Sequence, residues 1–439
     1  ALLFFALIAF VFVPIGQMVG WYLENGSNGV LAYTINVLAS LAGIILYTVL
    51  CFFYQPPVIW FLVAGALFLA LLWKVPRLGI ASAAVVALCA VILSAGAGKG
   101  SETYWSPYQK LTLTPLSEGG QVVKYELNTN DAWYQRIVNL SHEFVAAHPD
   151  LFRQVPIEWN PYNFPYRFYP APPSVLVLGA GMGNDVAAAV RNGAGRVVAV
   201  EIDPLILDLG RRFHFEKPYD SARVLTVLDD ARSYIENSKE QFDLIVFSLL
   251  DSHTTSSSYT NIRIDNYVYT LEALTRAQRL LRPDGLLIIK FQVNTPWIAG
   301  RLRSLLERVF GRPPLQMQGE SGEDAATGGR FFIAGSQSRI DATVSSPQML
   351  AFLRSQGGLD VEEAVLTTDD WPYFYQHQPG LPVNVIVISA AVVFMWWWFV
   401  HRTSPGGLSI RWQFFFLGAG FLLLETQIVS KMALLFGTT

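Results

Sequence analysis

Six long apolar runs lie at the two ends of the chain, and a segment of ordinary polarity separates them. A helix of about 20 apolar residues crosses the hydrocarbon core of a bilayer. The runs carry almost no charge, so we predict about four membrane helices within residues 1–98, about two within residues 381–439, and the lipid bilayer as a partner. The predicted spans are Ala1–Tyr22, Val30–Phe53, Val58–Trp73, Leu78–Ala97, Leu381–Val400 and Trp412–Phe436.

The central segment alternates short apolar β-rich runs with helical patterns. The runs SVLVLGAG, RVVAVEID, RVLTVL, FDLIVFSLL and LLIIKFQ read as strands. We predict helices at Asp185–Arg191, Pro204–Phe213 and Tyr267–Leu281, the last stopped by Pro283 and Gly285. This alternation indicates a Rossmann-like, doubly wound parallel sheet over residues 171–380. Residues 99–170 are predicted to form a small β-hairpin (LTLTPL and QVVKYELN) and a linker.

Composition favours a membrane protein and argues against several classes of partner. Charged residues make up 15% of the chain and hydrophobic residues 52%, whereas soluble domains carry about 25% charged residues. The net charge of −3 and the lack of a basic stripe argue against a nucleic-acid partner. Cys51 and Cys89 lie in apolar runs and read as buried hydrophobes. His142 and His148 lack the spacing of a zinc site, so we predict no metal.

Three glycines follow the first strand of the predicted sheet. Gly179, Gly181 and Gly183 stand between that strand and a helix opened by Asn184 and Asp185. Glycines at such a turn let a ligand approach the backbone and the N-terminus of the helix. The sequence therefore predicts a nucleoside-binding loop here.

Four carboxylates stand where the next two strands end. Glu201 ends the second strand, about 20 residues after the glycines, where a carboxylate accepts hydrogen bonds from ribose hydroxyls. Asp203 follows it, and Asp229 and Asp230 end the third strand, where an acidic group meets a base or amino group. We assign all four to ligand binding; the alternative is that they cap helices. Acidic residues after both strands suit a ligand of the S-adenosylmethionine type better than NAD.

The order VLVLGAGMGND, VVAVEIDP, VLTVLDDARSYI, FDLIVFSLLDS and LLRPDGLLI resembles the spermidine synthase domain, over roughly Tyr104 to Tyr375. The apolar flanks resemble the membrane-fused spermidine-synthase-like proteins of bacteria. The resemblance implies the class I methyltransferase type of fold and S-adenosylmethionine or decarboxylated S-adenosylmethionine as the bound nucleoside. It also implies that Glu201 holds the ribose, Asp229 contacts the adenine side and Gln109 reaches the ligand from the hairpin.

The sequence differs from that family at positions that bind and deprotonate the amine acceptor. Spermidine synthases place a proton-accepting aspartate five residues beyond the position of Asp243, and this chain has Ser248 there. Asp251 is the next carboxylate and is our candidate for the base. The glycine loop carries Met182 where the family usually has an acidic residue. Losing two acidic groups removes what attracts a polycation, which argues against ordinary putrescine aminopropylation.

The family's amine-binding motif of Tyr, His and Glu survives only in part. Tyr134 and the preceding Asp131 match it, whereas Gln135 and Arg136 replace the other two residues. We therefore assign catalytic roles to Tyr134, Ser248 and Asp251.

Three functions remain open at this point. The leading prediction is a membrane-anchored group transferase whose acceptor is an amine or a membrane-associated molecule. The second is a pseudoenzyme whose fold serves as a structural or partner-binding unit with other membrane subunits or a second copy. A transporter-like protein with a nucleoside sensor is the third, supported only by the polar residues Glu425, Gln427 and Lys431 in the last span.

Localisation follows from the spans. We predict an integral protein of a bacterial inner membrane. The basic residues of the loops near Lys74 and Arg402 favour a cytoplasmic position for those loops and the opposite side for the central domain, which conflicts with a nucleoside made in the cytoplasm. The side of the membrane stays open. The chain starts at Ala1 within an apolar run and ends within another, so we expect a segment of a longer protein.

Overall fold

The computed structural model describes residues 2–72, 74, 76–94, 100–118, 120–152, 156–250, 266–319, 329–403 and 412–436. The chain divides into two compact units. The first consists of Ala1–Gly98, Thr103–Lys110 and Leu381–Ser409; the second consists of Lys99–Glu102, Leu111–Gly380 and Ile410–Thr439.

The helices are α1 (Leu2–Glu24), α2 (Gly29–Phe52), α3 (Pro57–Leu71), α4 (Pro76–Ser94), α5 (His142–Ala147), α6 (Pro165–Phe168), α7 (Asn184–Arg191), α8 (Pro204–Phe213), α9 (Ala231–Asn237), α10 (Leu271–Arg279), α11 (Pro296–Phe310), α12 (Gln337–Val344), α13 (Pro347–Ser355), α14 (Val383–Thr403) and α15 (Trp412–Phe436). The strands are β1 (Glu102–Trp105), β2 (Lys110–Glu118), β3 (Gln121–Thr129), β4 (Ala132–Val138), β5 (Ser174–Leu178), β6 (Arg196–Glu201), β7 (Val224–Leu228), β8 (Phe242–Phe247), β9 (Leu281–Phe291), β10 (Leu315–Gln318) and β11 (Arg330–Gly335). Short 3₁₀ turns lie at Pro149–Phe152, Ile157–Trp159, Pro218–Asp220 and Asn266–Tyr269.

Each of the six apolar runs forms a helix over most of its described residues, as predicted. Among the described residues, three helical segments are long and apolar enough to cross a membrane, Gly29–Phe52, Pro76–Ser94 and Val385–Arg402, and Pro57–Leu71 and Phe415–Ile428 are shorter apolar segments. Within the first unit, α3 and α4 pack closely at Gly65, where an added Cβ would lie 2.7 Å from Cγ1 of Val86. Small residues permit such close approach of apolar helices.

The second unit is built on a seven-stranded sheet in the order β10-β11-β9-β8-β5-β6-β7. The pairs β5·β6, β6·β7, β5·β8 and β8·β9 are parallel, whereas β11 pairs antiparallel with β9 and β10. Every residue of β5 and β8 is buried, as expected of central strands covered by helices on both faces. The predicted Rossmann-like fold is thus confirmed for this unit.

Because β6 and β8 lie on opposite sides of β5, the strand order reverses at β5. In open α/β sheets the crevice at such a reversal, beyond the carboxyl ends of the strands, is where ligands bind. The loops after β5 and β8 meet at this crevice. The fold therefore brings the glycine loop and Ser248 to the same edge of the sheet.

Two sequence predictions differ from the structure in detail. The helix predicted over Tyr267–Leu281 ends at Arg279, and Pro283 and Gly285 lie inside β9, where the pairing with β8 shifts register. The irregular pairing accommodates a proline that regular strand hydrogen bonding excludes. The predicted hairpin, β2 and β3, forms the middle of a four-stranded sheet in the order β1-β2-β3-β4, in which β4 pairs antiparallel with β3.

Candidate nucleoside site

The glycine loop after β5 depends on backbone conformations that side chains disfavour. Gly179, Gly181 and Gly183 have φ angles of 72°, 56° and 108°, in the left-handed region that glycine adopts without steric cost. Two backbone N–H groups of the loop, those of Gly179 and Ala180, donate to the carbonyl of Val200 in β6. The loop is therefore held against the end of the neighbouring strand, and Gly183 is the N-cap residue of α7.

Glu201 lies directly behind this loop and is 3% exposed. Its Oε2 accepts a hydrogen bond from the backbone N–H of Gly181 at 2.7 Å. Its Oε1 accepts from the N–H groups of Ile202 and Asp203, both at 3.0 Å. Burial raises the pKa of Glu201 to about 7, although the backbone donors work against that rise. A carboxylate has about four acceptor positions, so the backbone takes three of them.

The other predicted carboxylates divide into two groups. Asp203 and Asp230 are buried N-caps: Oδ1 of Asp203 accepts from Leu205 N at 3.0 Å, and Oδ1 of Asp230 accepts from Ser233 N at 3.0 Å. The capping alternative thus describes their geometry, and a ligand role for them stays a prediction. Asp229 is only partly buried, and its Oδ1 accepts from Asp230 N at 2.8 Å. It lies one residue past β7, on the side where the sequence predicts the adenine contact.

A cleft of about 30 Å³ opens between the glycine loop, β4 and the end of β8. It brings together predicted residues from distant parts of the sequence, since its walls are Trp133, Tyr134, Gln135, Tyr162, Gly179, Gly181, Asp185, Ser248 and Leu249. Ser248 is 4% exposed, and its Oγ makes no hydrogen bond to the residues that the structure describes. A buried hydroxyl without a partner is costly, which makes this atom a candidate ligand contact.

Two side chains occupy the space over the glycine loop. Oε1 of Gln135 accepts a hydrogen bond from the backbone N–H of Met182 at 3.1 Å. A Cβ added to Gly179 would lie 2.1 Å from Cδ2 of Leu250, so Leu250 packs directly on that glycine. Gln135 stands at a position that the family resemblance assigns to amine binding. In this chain its side chain bonds to the glycine loop instead.

A buried ion pair forms one wall of the cleft, and sequence reasoning missed it. Lys290 in β9 and Asp185 in the first turn of α7 are 3% and 7% exposed, and Nζ of Lys290 donates to Oδ1 of Asp185. The ammonium lies 4.9 Å from the ring centroid of Tyr162. Burial lowers the pKa of Lys290, and Asp185 opposes that shift. The available signal was a lysine inside the otherwise apolar strand LLIIKFQ, because lysine is almost never buried unpaired.

The remaining site predictions are not brought together by the structure. Asp251 lies outside the described residues. Gln109 follows β1 in a turn where its backbone N–H and carbonyl both bond to Ser106, and its role as a ligand contact stays a prediction. Among the described residues, no group of three or more His, Cys, Asp or Glu side chains is arranged to hold a metal ion.

Comparison with known proteins points to one family. Residues 162–308 match the model of the spermine/spermidine synthase domain. Polyamine aminopropyltransferases from Pyrobaculum arsenaticum and Nitrosomonas europaea are 28% and 32% identical over 127 and 172 residues. These matches cover 27% and 35% of this chain and 42% and 49% of the relatives, so the chain spans less than half the length of either. A spermidine synthase solved with the transition-state analogue AdoDATO superimposes with a TM-score of 0.39 at 15% identity, over 66% of this chain and 87% of that one.

Proposed function

We propose, from the premise that this chain is a spermidine-synthase-like protein, that it is a membrane-anchored transferase using decarboxylated S-adenosylmethionine or S-adenosylmethionine. One observation carries the proposal. Glu201 ends β6 directly behind the left-handed glycine loop, at the reversal point of the sheet. A carboxylate at this point suits the hydroxyls of a ribose.

The described residues fit an adenosine-like ligand in three respects. Glu201 keeps about one acceptor position beyond its three backbone donors. The glycine loop offers backbone without side chains, and Asp229, the residue predicted to contact the adenine, is partly exposed. Entry of the ligand requires the side chains of Gln135 and Leu250 to rotate away from the loop, since they now cover it.

The sulfonium centre of such a nucleoside supplies the activated carbon for transfer. A lone pair on the acceptor forms a bond to that carbon, the carbon–sulfur bond breaks, and its electron pair leaves a neutral thioether on the nucleoside. The proton released from an amine acceptor needs a base. Asp251 remains our candidate for the base, and Tyr134 and Ser248 line the cleft through which the acceptor approaches.

Calorimetric titration of the purified full chain tests nucleoside binding. The ligands are S-adenosylmethionine, its decarboxylated form and methylthioadenosine. We expect binding of at least one of them in the micromolar range. A folded sample that gives no heat with any of the three contradicts the transferase proposal.

A catalytically inactive, partner-binding protein is the second candidate, and the filled cleft favours it. Gln135 caps the glycine loop, Leu250 covers Gly179, and the carboxylates accept backbone hydrogen bonds as they stand. Adenosyl-binding pockets need far more than 30 Å³. The same titration separates the two functions, because the inactive protein binds none of the nucleosides.

Membrane anchoring is the part of the proposal that rests on the terminal helices. Large apolar side chains on them face outward, such as Val30 (79% exposed), Ile80 (73%) and Val383 (75%), and soluble proteins rarely expose surfaces of this kind. We expect the expressed chain to stay in the membrane fraction after carbonate washing and to leave it only with detergent. Release by carbonate contradicts anchoring, and a reporter fused after Gly100 identifies the side of the domain.

A further inference from the structure

Residues 365–377 form a strap that a buried arginine ties to α11. Arg301 of that helix is 0% exposed. Its guanidinium donates to the backbone carbonyls of three strap residues, Val365, Phe374 and His377. A guanidinium presents its N–H donors in a rigid plane, so a single side chain fixes the strap at three points.

The middle of the strap is bound to α9 and α10 through Asp369. Its Oδ2 accepts a hydrogen bond from Nη2 of Arg232 at 2.7 Å, and its Oδ1 accepts from Oγ1 of Thr270 at 2.8 Å. The backbone N–H of Asp369 donates to Oε2 of Glu272 at 2.9 Å. Arg232 lies in the first turn of α9, and Thr270 is the N-cap of α10. One carboxylate of the strap thus joins the starts of two helices.

The position of Arg232 is unfavourable for α9 by itself. The N-terminus of a helix carries a partial positive charge, so a cation in the first turn is destabilising. Arg232 is also 4% exposed, and arginine is almost never fully buried unless it is paired. Its Nη2 lies 2.7 Å from Asp369 and 3.8 Å from Glu236, so Asp369 is the closer of these two carboxylates. The bond to the strap offsets both costs.

The residues directly before Arg232 are those at which the base of a nucleoside is expected. Asp229 precedes Asp230, the N-cap of α9. Oδ1 of Asp229 accepts from the N–H of Asp230 at 2.8 Å, and the N–H of Asp229 donates to the carbonyl of Glu201 at 3.2 Å. A shift of the first turn of α9 therefore moves Asp229 relative to Glu201, and a misplacement of about 1 Å is enough to weaken a positioned contact strongly.

We propose that Asp369 is a positioning residue for base recognition: by holding Arg232, it fixes the first turn of α9 and with it the carboxylate of Asp229. That carboxylate accepts a hydrogen bond from the 6-amino group of adenine, while Glu201 binds the ribose. The inference rests on the proposed function and specifies how its site recognises the base. Asp369 acts through α9 and not by contact with the ligand.

Two nucleosides that differ in the base test the proposal: methylthioadenosine and methylthioinosine, in which an oxo group replaces the 6-amino group. Their affinities for the detergent-purified full chain are measured by calorimetry. A carboxylate accepts from the amino group and repels the oxo group, so we expect the wild-type chain to prefer methylthioadenosine by at least about 10-fold. A wild-type chain that binds both equally overturns the proposal.

Asp369→Asn is expected to lower this preference by at least about 3-fold, because a neutral amide holds the arginine more weakly. Thr367→Val is the matched control, since it removes another buried anchor of the strap, the bond from Oγ1 of Thr367 to the carbonyl of Tyr269 at 2.5 Å. We expect T367V to lower the Tm and to keep the wild-type preference. An unchanged preference in D369N, or an equal fall in both variants, contradicts a specific link through Arg232.

Arg232→Met breaks the same link from the side of α9 and leaves Asp369 bonded to Thr270, so it decides the question if D369N does not fold. We expect R232M to lower the preference as D369N does. Arg232→Lys keeps a cation that can reach Asp369 and is expected to restore more than half of the wild-type preference. R232M with the wild-type preference overturns the proposal.

Failure of the proposed function gives a different result. If the folded wild-type chain binds neither nucleoside, the nucleoside site and this inference are both contradicted. If it binds methylthioadenosine and the preference does not respond to D369N or R232M, the proposed function stands and only the positioning role of Asp369 is lost.

Discussion

Replacing Glu201 with glutamine is expected to weaken binding of methylthioadenosine by roughly 5- to 12-fold. A hydrogen bond from a ligand hydroxyl to a buried carboxylate contributes about 1–1.5 kcal/mol more than one to a neutral amide. The glutamine also brings an NH₂ group toward the N–H groups of Gly181, Ile202 and Asp203, which now donate to the carboxylate. Calorimetric titration of both proteins at pH 8 measures the difference.

The pH dependence of binding provides a second signature of Glu201. Burial raises its pKa to about 7, and the ribose hydroxyls favour the ionised form. Nucleoside affinity is therefore expected to rise with pH, by up to about 10-fold between pH 6 and pH 8, and to level off above pH 8. The Glu201→Gln variant lacks the titrating group, so its weaker affinity should not change over this range.

The free energy of unfolding is expected to change with pH in the opposite direction to nucleoside affinity. The folded-state pKa of Glu201 lies above its unfolded value of 4.5, so the folded state resists ionisation. The free energy of unfolding is expected to fall by up to about 3 kcal/mol as the pH rises from 4.5 to 7. If the free energy of unfolding of the Glu201→Gln variant falls equally steeply with pH, other groups cause the fall. If both proteins bind the nucleoside with equal affinity, Glu201 does not contact it.

Replacing Lys290 with methionine is expected to destabilise the domain by about 3–5 kcal/mol, because it leaves Asp185 buried without a counter-charge. For a domain of this size that loss corresponds to a drop in Tm of roughly 10 °C. Both side chains are at least nine-tenths buried, so solvent screens the lost interaction little. Scanning calorimetry of the detergent-purified chain at pH 7 measures it.

The matched control is the double variant Asp185→Asn/Lys290→Met, which removes both charges. We expect it to recover more than half of the lost stability, since a neutral polar side chain costs less to bury than an unpaired carboxylate. Equal destabilisation of the single and double variants would show that the packing of the lysine stem, and not its charge, is what the domain requires.

The sequence predicted those parts of the fold that depend on local hydrophobic patterns and turn residues. The apolar runs, the helix Pro204–Phe213 and the strands of the large sheet follow from periodicity and from turn residues, and the structure confirms them. The predicted ends of helices and strands were less accurate where pairing with a neighbouring strand sets the boundary. Pro283 reads as a helix stop and a loop, yet β9 begins before it because an irregular pairing with β8 accommodates it.

At the candidate site, the sequence predicted the contact between the glycine loop and Glu201, because residue type and spacing alone carry that information. The glycine loop needs positive φ angles, and a carboxylate about 20 residues later reaches the same edge of a parallel sheet, so Gly181 and Glu201 stand out from their spacing alone. Asp203 and Asp230 lie at equivalent strand ends, but a side-chain oxygen at a helix start serves as a cap as readily as it binds a ligand. Only the folded geometry distinguishes a cap, 3.0 Å from Leu205 N or Ser233 N.

The amino-acid sequence is sufficient to predict apolar helices in both terminal segments, a doubly wound domain between them and a glycine loop next to Glu201. Those features depend on composition, on the periodicity of apolar residues and on residues that are close together in the sequence. The pairing of Asp185 with Lys290, 105 positions apart, becomes visible only in the folded chain. The same holds for the contact of Gln135 with the loop at Met182. The charge of a buried site depends on which side chains the folded chain brings within a few ångströms, and no local pattern encodes that.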